Sequence, residues 1–272
     1  CDVDSSTIYA LKILKPVCRT EERKRHVLER LLREAEAVSE LEHPNIVRVI
    51  KYGLAEEELV PFILMEYVEG KSLREVISDA DDLTYMKKAQ MIRQVADALA
   101  AVHKHDICHR DIKPANILVD ANYDAKLTDF GIALMPDSSL TVSTSIVGTP
   151  VYLSPEGFHS SKVDHRADIF SLGVVAYELF LLQRPFVAQS IAQYANVIQN
   201  DQPIEPRHLR PDFPLRLQSI LARMLKKEPD ERYNNTDELV SDLDGYLKSP
   251  PLRSHILKKL IDRQPQCDWR RS

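Results

Sequence analysis

At 272 residues, with 44% hydrophobic and 28% charged side chains, the chain is sized for one large domain or two lobes flanking a cleft. A formal net charge of −5 argues against a nucleic-acid partner, which would select a basic excess. Four scattered cysteines (Cys1, Cys18, Cys108, Cys267) lack C-x-x-C spacing, which disfavours metal or disulfide frameworks and points to a reducing cytoplasm.

Thr7 to Leu14, T-I-Y-A-L-K-I-L, is β-branched and aromatic and predicts a strand that carries Lys12. Thr20 can cap a helix running to about Glu42, with apolar residues recurring at Val27, Leu28, Leu31, Leu32, Ala35, Val38 and Leu41. His43-Pro44-Asn45 stops it, two short strands follow around Ile46 to Tyr52 and Leu59 to Glu66, and Val68-Glu69-Gly70 reads as a connector. Beyond it the pattern turns helical: Leu73 to Ile77, Tyr85 to His105, Asp164 to Leu182, Ile191 to Gln199, Pro214 to Leu225 and Thr236 to Leu247. No stretch reaches the roughly 20 apolar residues of a bilayer span. Ile169 to Leu182 comes nearest and is interrupted by Ser171 and Glu178, as a buried core helix can be. No basic-then-apolar leader opens the chain, and its start at Cys1 suggests a fragment or a processed product. Cys108 is expected to be a small buried packing residue.

The densest signal is chemical. Residues 109 to 116 read H-R-D-I-K-P-A-N, and after twelve residues comes D-F-G at 129 to 131. Asp111 can accept or orient the proton of an attacking hydroxyl. Asn116 and Asp129 offer oxygen ligands to a hard cation, at the separations that phosphoryl transfer from Mg-ATP requires. Three residues recur by chance, but the whole spaced set does not. On these motifs the chain resembles the protein kinase family, and its serine/threonine branch in particular.

That resemblance assigns further roles. Lys12, in A-L-K, resembles the strand lysine that holds the α and β phosphates. A lysine buried in mid-strand needs a partner. Glu34 is the expected one, because it shares a helical face with Leu31, Val38 and Leu41 and stands nine residues before His43. Ala10 resembles the alanine that packs on adenine, Leu118 the residue beneath the ring and Met65 the residue at the back of the pocket. Glu66 to Val68 would present backbone groups to the adenine edge. Lys113 resembles the lysine that contacts the moving phosphate in serine/threonine kinases, and Thr149, in G-T-P-V-Y-L-S-P-E, the residue linking the substrate loop to Asp111 and Lys113. Residues 129 to 156 resemble the activation segment. Phosphorylation within Thr141 to Ser145 (Thr141, Ser143, Thr144, Ser145) would pair with Arg110 and order the loop. Glu156 and Arg232 match a buried ion pair, and Asp168 the helix aspartate that bonds the backbone of the catalytic loop. With Q-R-P-F at 183 to 186, the closest flavour is that of bacterial eukaryotic-like kinases.

One part of the pattern is missing. The glycine-rich loop G-x-G-x-x-G should precede Lys12, yet the first glycine is Gly53. Positioning of the phosphates should then be weaker, and the small lobe should carry an exposed edge and an uncovered apolar face. The expectation is an α+β, two-lobed kinase-like fold: a truncated β-rich small lobe (1–67), a larger, mainly helical lobe (68–247) and a C-terminal tail (248–272). The tail holds seven Lys/Arg against two Asp, and Leu252, Ile256, Leu257, Leu260 and Ile261 could form one helical stripe. The activity implied is transfer of the γ-phosphate of ATP, with Mg²⁺, to serine or threonine of protein substrates. No nucleic-acid partner and no membrane segment in this chain are expected, and self-association would allow trans-autophosphorylation. The alternative is a catalytically impaired pseudokinase or interaction scaffold.

Overall fold

The computed structural model describes residues 7–13, 32, 35–55, 60–130, 150–159 and 163–249. In the small lobe, β1 (Tyr9–Ile13), β2 (Val49–Ala55) and β3 (Val60–Glu66) form an antiparallel sheet of order β1-β3-β2. Strand alternation turns Ala10 and Lys12 to one face of β1, while Tyr9, Leu11 and Ile13 stand 42%, 57% and 56% exposed on the other. The uncovered apolar face is therefore observed, on an edge strand among the described residues.

Residues 35–39 are helical (α1) and bury Ala35 and Val38; the remainder of the expected helix, residue 32 aside, lies outside the described residues. After it, the His43-Pro44-Asn45 turn fastens the two lobes together. The Asn45 amide donates to the Ala125 carbonyl at 2.8 Å, Leu127 N–H donates to the Asn45 carbonyl at 2.8 Å, and Val47 N–H donates to the Leu127 carbonyl at 2.9 Å. Ile46 consequently forms only an isolated bridge to Leu127, and the strand expected at Ile46 to Tyr52 starts at Val49 instead.

A second antiparallel sheet, β4 (Gly70–Ser72), β5 (Ile117–Asp120) and β6 (Ala125–Leu127), opens the large lobe. Gly70 was expected in a connector, but it starts β4. A Cβ there would lie 2.1 Å from the Val119 carbonyl oxygen, so only glycine permits this pairing. Ser72 then caps α2 (Leu73–Ser78) in a capping box with Glu75. Thr84 caps α3 (Tyr85–His103), which packs against α4 (Arg166–Leu181) and α8 (Thr236–Leu247). Between them run α5 (Ile191–Asn200), α6 (Pro206–Leu209) and α7 (Leu215–Met224). α4 is apolar on nearly every side and forms the buried axis of the lobe, as its sequence implied. Among the described residues no helix is long and apolar enough to cross a membrane.

The segment after residue 149 returns against α4, where Tyr152 Oη donates to Glu178 Oε2 at 2.7 Å. Ser154 beside it is 1% exposed, and its hydroxyl has no partner among the described residues. An orphaned buried hydroxyl costs about 1–3 kcal/mol. Ser154→Ala is expected to raise stability by about 1 kcal/mol, read as a higher urea midpoint at unchanged slope.

Candidate active site

The catalytic loop is held from below by one buried carboxylate. Asp168, 1% exposed on α4, accepts the backbone N–H of His109 at Oδ2 and of Arg110 at Oδ1, each at 2.8 Å, and binds His103 Nε2 at 2.9 Å. His103 is in turn fixed by Thr236 Oγ1 at 2.7 Å. These bonds hold Arg110 in the left-handed region, at φ 62°, with its side chain exposed. Burial alone would raise the pKa of Asp168. The His103 hydrogen bond and charge, with help from the Arg110 amide, outweigh it and hold the carboxyl below its ordinary range.

His109 is fully buried, and its ring lies 4.8 Å from that of Phe130. Its Nε2 lies 3.0 Å from the Thr128 carbonyl, and the Asp111 amide donates to Nδ1 at 3.3 Å, an arrangement that fits the neutral ring. Burial pushes its pKa below 6.5. The unfolded chain takes up a proton as pH falls through about 6.5 while the folded chain does not, so this stability is complete above that pH and lost below it. Asp168, depressed in the fold, adds a further loss in the carboxylate range. His43, also pushed down by burial, contributes to the upper limb. Melting temperature is therefore expected to fall between about pH 7 and 5, less steeply in His109→Phe than in the wild type.

Above this support, two ion pairs face the cleft. Lys113 Nζ meets Asp111 Oδ2 at 2.7 Å, and Asn116 Nδ2 donates to the same oxygen and to the Asp111 carbonyl, both at 2.9 Å. Lys12 Nζ meets Asp129 Oδ1 at 2.6 Å, across the lobes. The four charged side chains of these pairs are 22–32% exposed, accessible yet partly desolvated. Thr128 N–H donates to the Asn116 carbonyl at 3.0 Å, tying the chain before Asp129 to the catalytic loop. Asp129 itself lies at φ 61°. The structure thus gathers Asp111, Lys113 and Asn116 into one group and Lys12 with Asp129 into another, joined through the Thr128–Asn116 backbone bond. Lys12 was expected to pair with Glu34, which lies outside the described residues; among the described residues it meets Asp129.

Around this cluster, Ala10 faces Met65 across the sheet, and Thr128 Oγ1 lies 3.8 Å from Met65 Sδ. Val68 and Leu118 are partly buried. The Glu66 side chain turns to β6, where it pairs with Lys126 at 2.7 Å and accepts the Arg48 amide at 3.0 Å. Thr141, Ser143, Thr144, Ser145 and Thr149 lie outside the described residues. Arg232 donates to both oxygens of Glu156, at 2.7 and 2.8 Å. Cys108 is a free thiol, half-buried rather than buried, with a pKa pushed up to about 11 by burial.

Among the described residues no group of three or more His, Cys, Asp or Glu could hold a metal ion. Asn116 spends its amide nitrogen on Asp111, which leaves its oxygen for a cation, and Asp129 keeps a second carboxylate oxygen beside the one bound to Lys12. Two such oxygens fit an ion that completes its shell with phosphates and water, as Mg²⁺ does. Sequence reasoning missed His103, Thr236 and the Glu66–Lys126 pair, for which no motif spacing gives a signal.

Residues 1–242 match the family model of the protein kinase domain. This chain belongs to the protein kinase family. A probable serine/threonine-protein kinase of Clostridium perfringens is 36% identical over 242 residues, covering 89% of this chain and 35% of that protein. The serine/threonine-protein kinase PknB of Mycolicibacterium smegmatis is 36% identical over 219 residues, covering 79% of this chain and 35% of that protein. The chain thus spans about a third of the length of the curated relatives it matches. Among solved structures, the Mycobacterium tuberculosis PknI kinase domain superposes with a TM-score of 0.66 at 28% identity, covering 87% of this chain and 85% of that one. These relatives group the chain with bacterial eukaryotic-like serine/threonine kinase domains.

Proposed function

We propose that this domain transfers the γ-phosphate of ATP to serine or threonine hydroxyls of protein substrates in the cytoplasm. The observation that supports it is the Asp111–Lys113–Asn116 group and the inter-lobe Lys12–Asp129 pair, tied together by the Thr128–Asn116 backbone bond. Asp111 orients the attacking hydroxyl and takes its proton as the new O–P bond forms and the bond to the β-phosphate oxygen breaks. Lys113, already beside that carboxylate, steadies the moving phosphoryl group, and with Thr149 it favours serine and threonine over tyrosine. Lys12, oriented by Glu34, holds the phosphates, while Ala10, Met65, Val68, Leu118 and the Glu66 backbone enclose the adenine. Asn116 and Asp129 would hold Mg²⁺, which when bound neutralises phosphate charge. Phosphorylation within Thr141 to Ser145, by a second copy, would pair with Arg110 and order the substrate loop. Glu156, Arg232 and Asp168 act as structural supports.

A catalytically impaired module is the second reading, favoured by the solvent-exposed Tyr9, Leu11 and Ile13 on the small-lobe sheet. Incubation with γ-labelled ATP, Mg²⁺ and a serine/threonine-rich acceptor protein separates the two. Label transferred by the wild type and not by Asp111→Asn supports the enzyme. Nucleotide binding without transfer in either protein would leave the module.

A further inference from the structure

α4 carries two acids, Asp168 in its first turn and Glu178 in its last. Asp168 anchors the catalytic loop. Glu178 stands ten residues further on, about 15 Å along the axis and roughly 80° around it, in the same half of the helix surface. It is not a free carboxylate. Tyr152, from the single turn Pro150–Tyr152, donates Oη to its Oε2 at 2.7 Å, and Arg184, from the loop after α4, donates Nε to its Oε1 at 3.1 Å. Burial and the Glu178 bond push the Tyr152 phenol well above its ordinary pKa, so it keeps the proton it donates. Both Glu178 oxygens are therefore taken, and its side chain is 14% exposed against 38% for Arg184. A ligand arriving from solvent meets the guanidinium and not the carboxylate.

That guanidinium is aimed but only partly used. Its Nε–H is spent on Glu178, and among the described residues no other carboxylate pairs with Arg184. Its surroundings are otherwise neutral. Pro150 to Pro155 hold no charge, and from Gln183 to Asn200 Arg184 is the only charged side chain. Val187 and Ile191, a few residues along, stand 74% and 47% exposed. A cation fixed by an inward-turned counter-ion, on a neutral surface, is suited to a second carboxylate brought from outside, because its remaining planar N–H groups can fork onto both oxygens.

Resting on the phosphotransferase reading above, we infer that Arg184 determines specificity: it selects protein substrates that carry an aspartate or glutamate about four or five residues from the acceptor hydroxyl. The spacing follows from the offset between Glu178 and the anchor of the catalytic loop, since an extended chain advances about 3.3 Å per residue. The test uses the 272-residue chain and peptides with one serine in a background of alanine and glutamine, a single glutamate being moved through every position on both sides of the serine. Each peptide is read twice, by transfer of label from ATP and by fluorescence anisotropy of binding without nucleotide. The wild type is expected to favour the best glutamate peptide over its glutamine counterpart by about fivefold, in kcat/KM and in Kd. Arg184→Gln should lose that preference while labelling the neutral peptide at the wild-type rate. Arg184→Glu should invert it, favouring lysine at the same position, a gain that a misfolded protein cannot show. Absence of any preference in the wild type, or a preference that survives in Arg184→Gln, would overturn the role of Arg184. A binding preference that Arg184→Gln abolishes, without transfer to any peptide, would uphold that role and sink the phosphotransferase reading instead.

Discussion

Replacing Asp129 by asparagine is expected to lower phosphoryl transfer by about 10³-fold or more while leaving the fold intact. Both halves of that statement come from the same geometry. Asp129 supplies the carboxylate that meets Lys12 at 2.6 Å and the oxygen proposed for the metal ion, so the change removes the negative charge that would hold the cation balancing the phosphates. The stability cost is small, because both partners are about a third exposed and such pairs contribute about 0–1 kcal/mol. The backbone is spared as well: at φ 61° asparagine is tolerated about as readily as aspartate, which alanine is not. A melting temperature within a few degrees of wild type, together with loss of label transfer, is the expected pair of readings. Transfer retained at wild-type rate would overturn the metal assignment.

Arg232→Ala carries the largest expected effect on stability. The guanidinium is 0% exposed, and all five of its N–H groups are used: two on Glu156, and one each on the Lys226, Lys227 and Arg166 carbonyls at 2.8, 2.8 and 3.0 Å. Truncation leaves a largely buried carboxylate and three carbonyls without a donor. Breaking a buried pair from one side costs about 3–5 kcal/mol, or a fall of about 10 °C in melting temperature for a domain of this size. Arg232→Lys should recover little, since one ammonium cannot reproduce a planar fork that reaches both Glu156 oxygens and separate carbonyls. Glu156→Gln, which keeps acceptor and shape, should cost less than half as much. Equal losses for Arg232→Ala and Glu156→Gln in denaturant titrations would refute this account.

Elements that own their periodicity were readable from the chain. The apolar repeat of α3 and α8 and the uniformly apolar α4 declared themselves over three turns or more, and β1 by its β-branched and aromatic composition. β4, β5 and β6 did not, because strands of three or four residues carry too little pattern and exist here through pairing. The three-residue β4 depends on a glycine that lets the Val119 carbonyl approach. α6 is a single turn, too short for periodicity to speak. At the site, fixed spacing exposed Asp111, Lys113, Asn116 and Asp129, whose roles depend on short loops. The need of Lys12 for an acid was legible, but the contact with Asp129, 117 residues distant, was not. The His103–Asp168 link was invisible for the same reason: burial that brings two helices together leaves no mark at any single position.

The left-handed backbone at Arg110 sets a limit for anyone engineering this domain. A side chain there costs about 1 kcal/mol or more over glycine, and two bonds to Asp168 hold the turn in place. Arg110→Gly would therefore look attractive to any selection for thermal tolerance, and would delete the exposed cation proposed to read loop phosphorylation. Screens for robustness and screens for regulation would pull this one position in opposite directions.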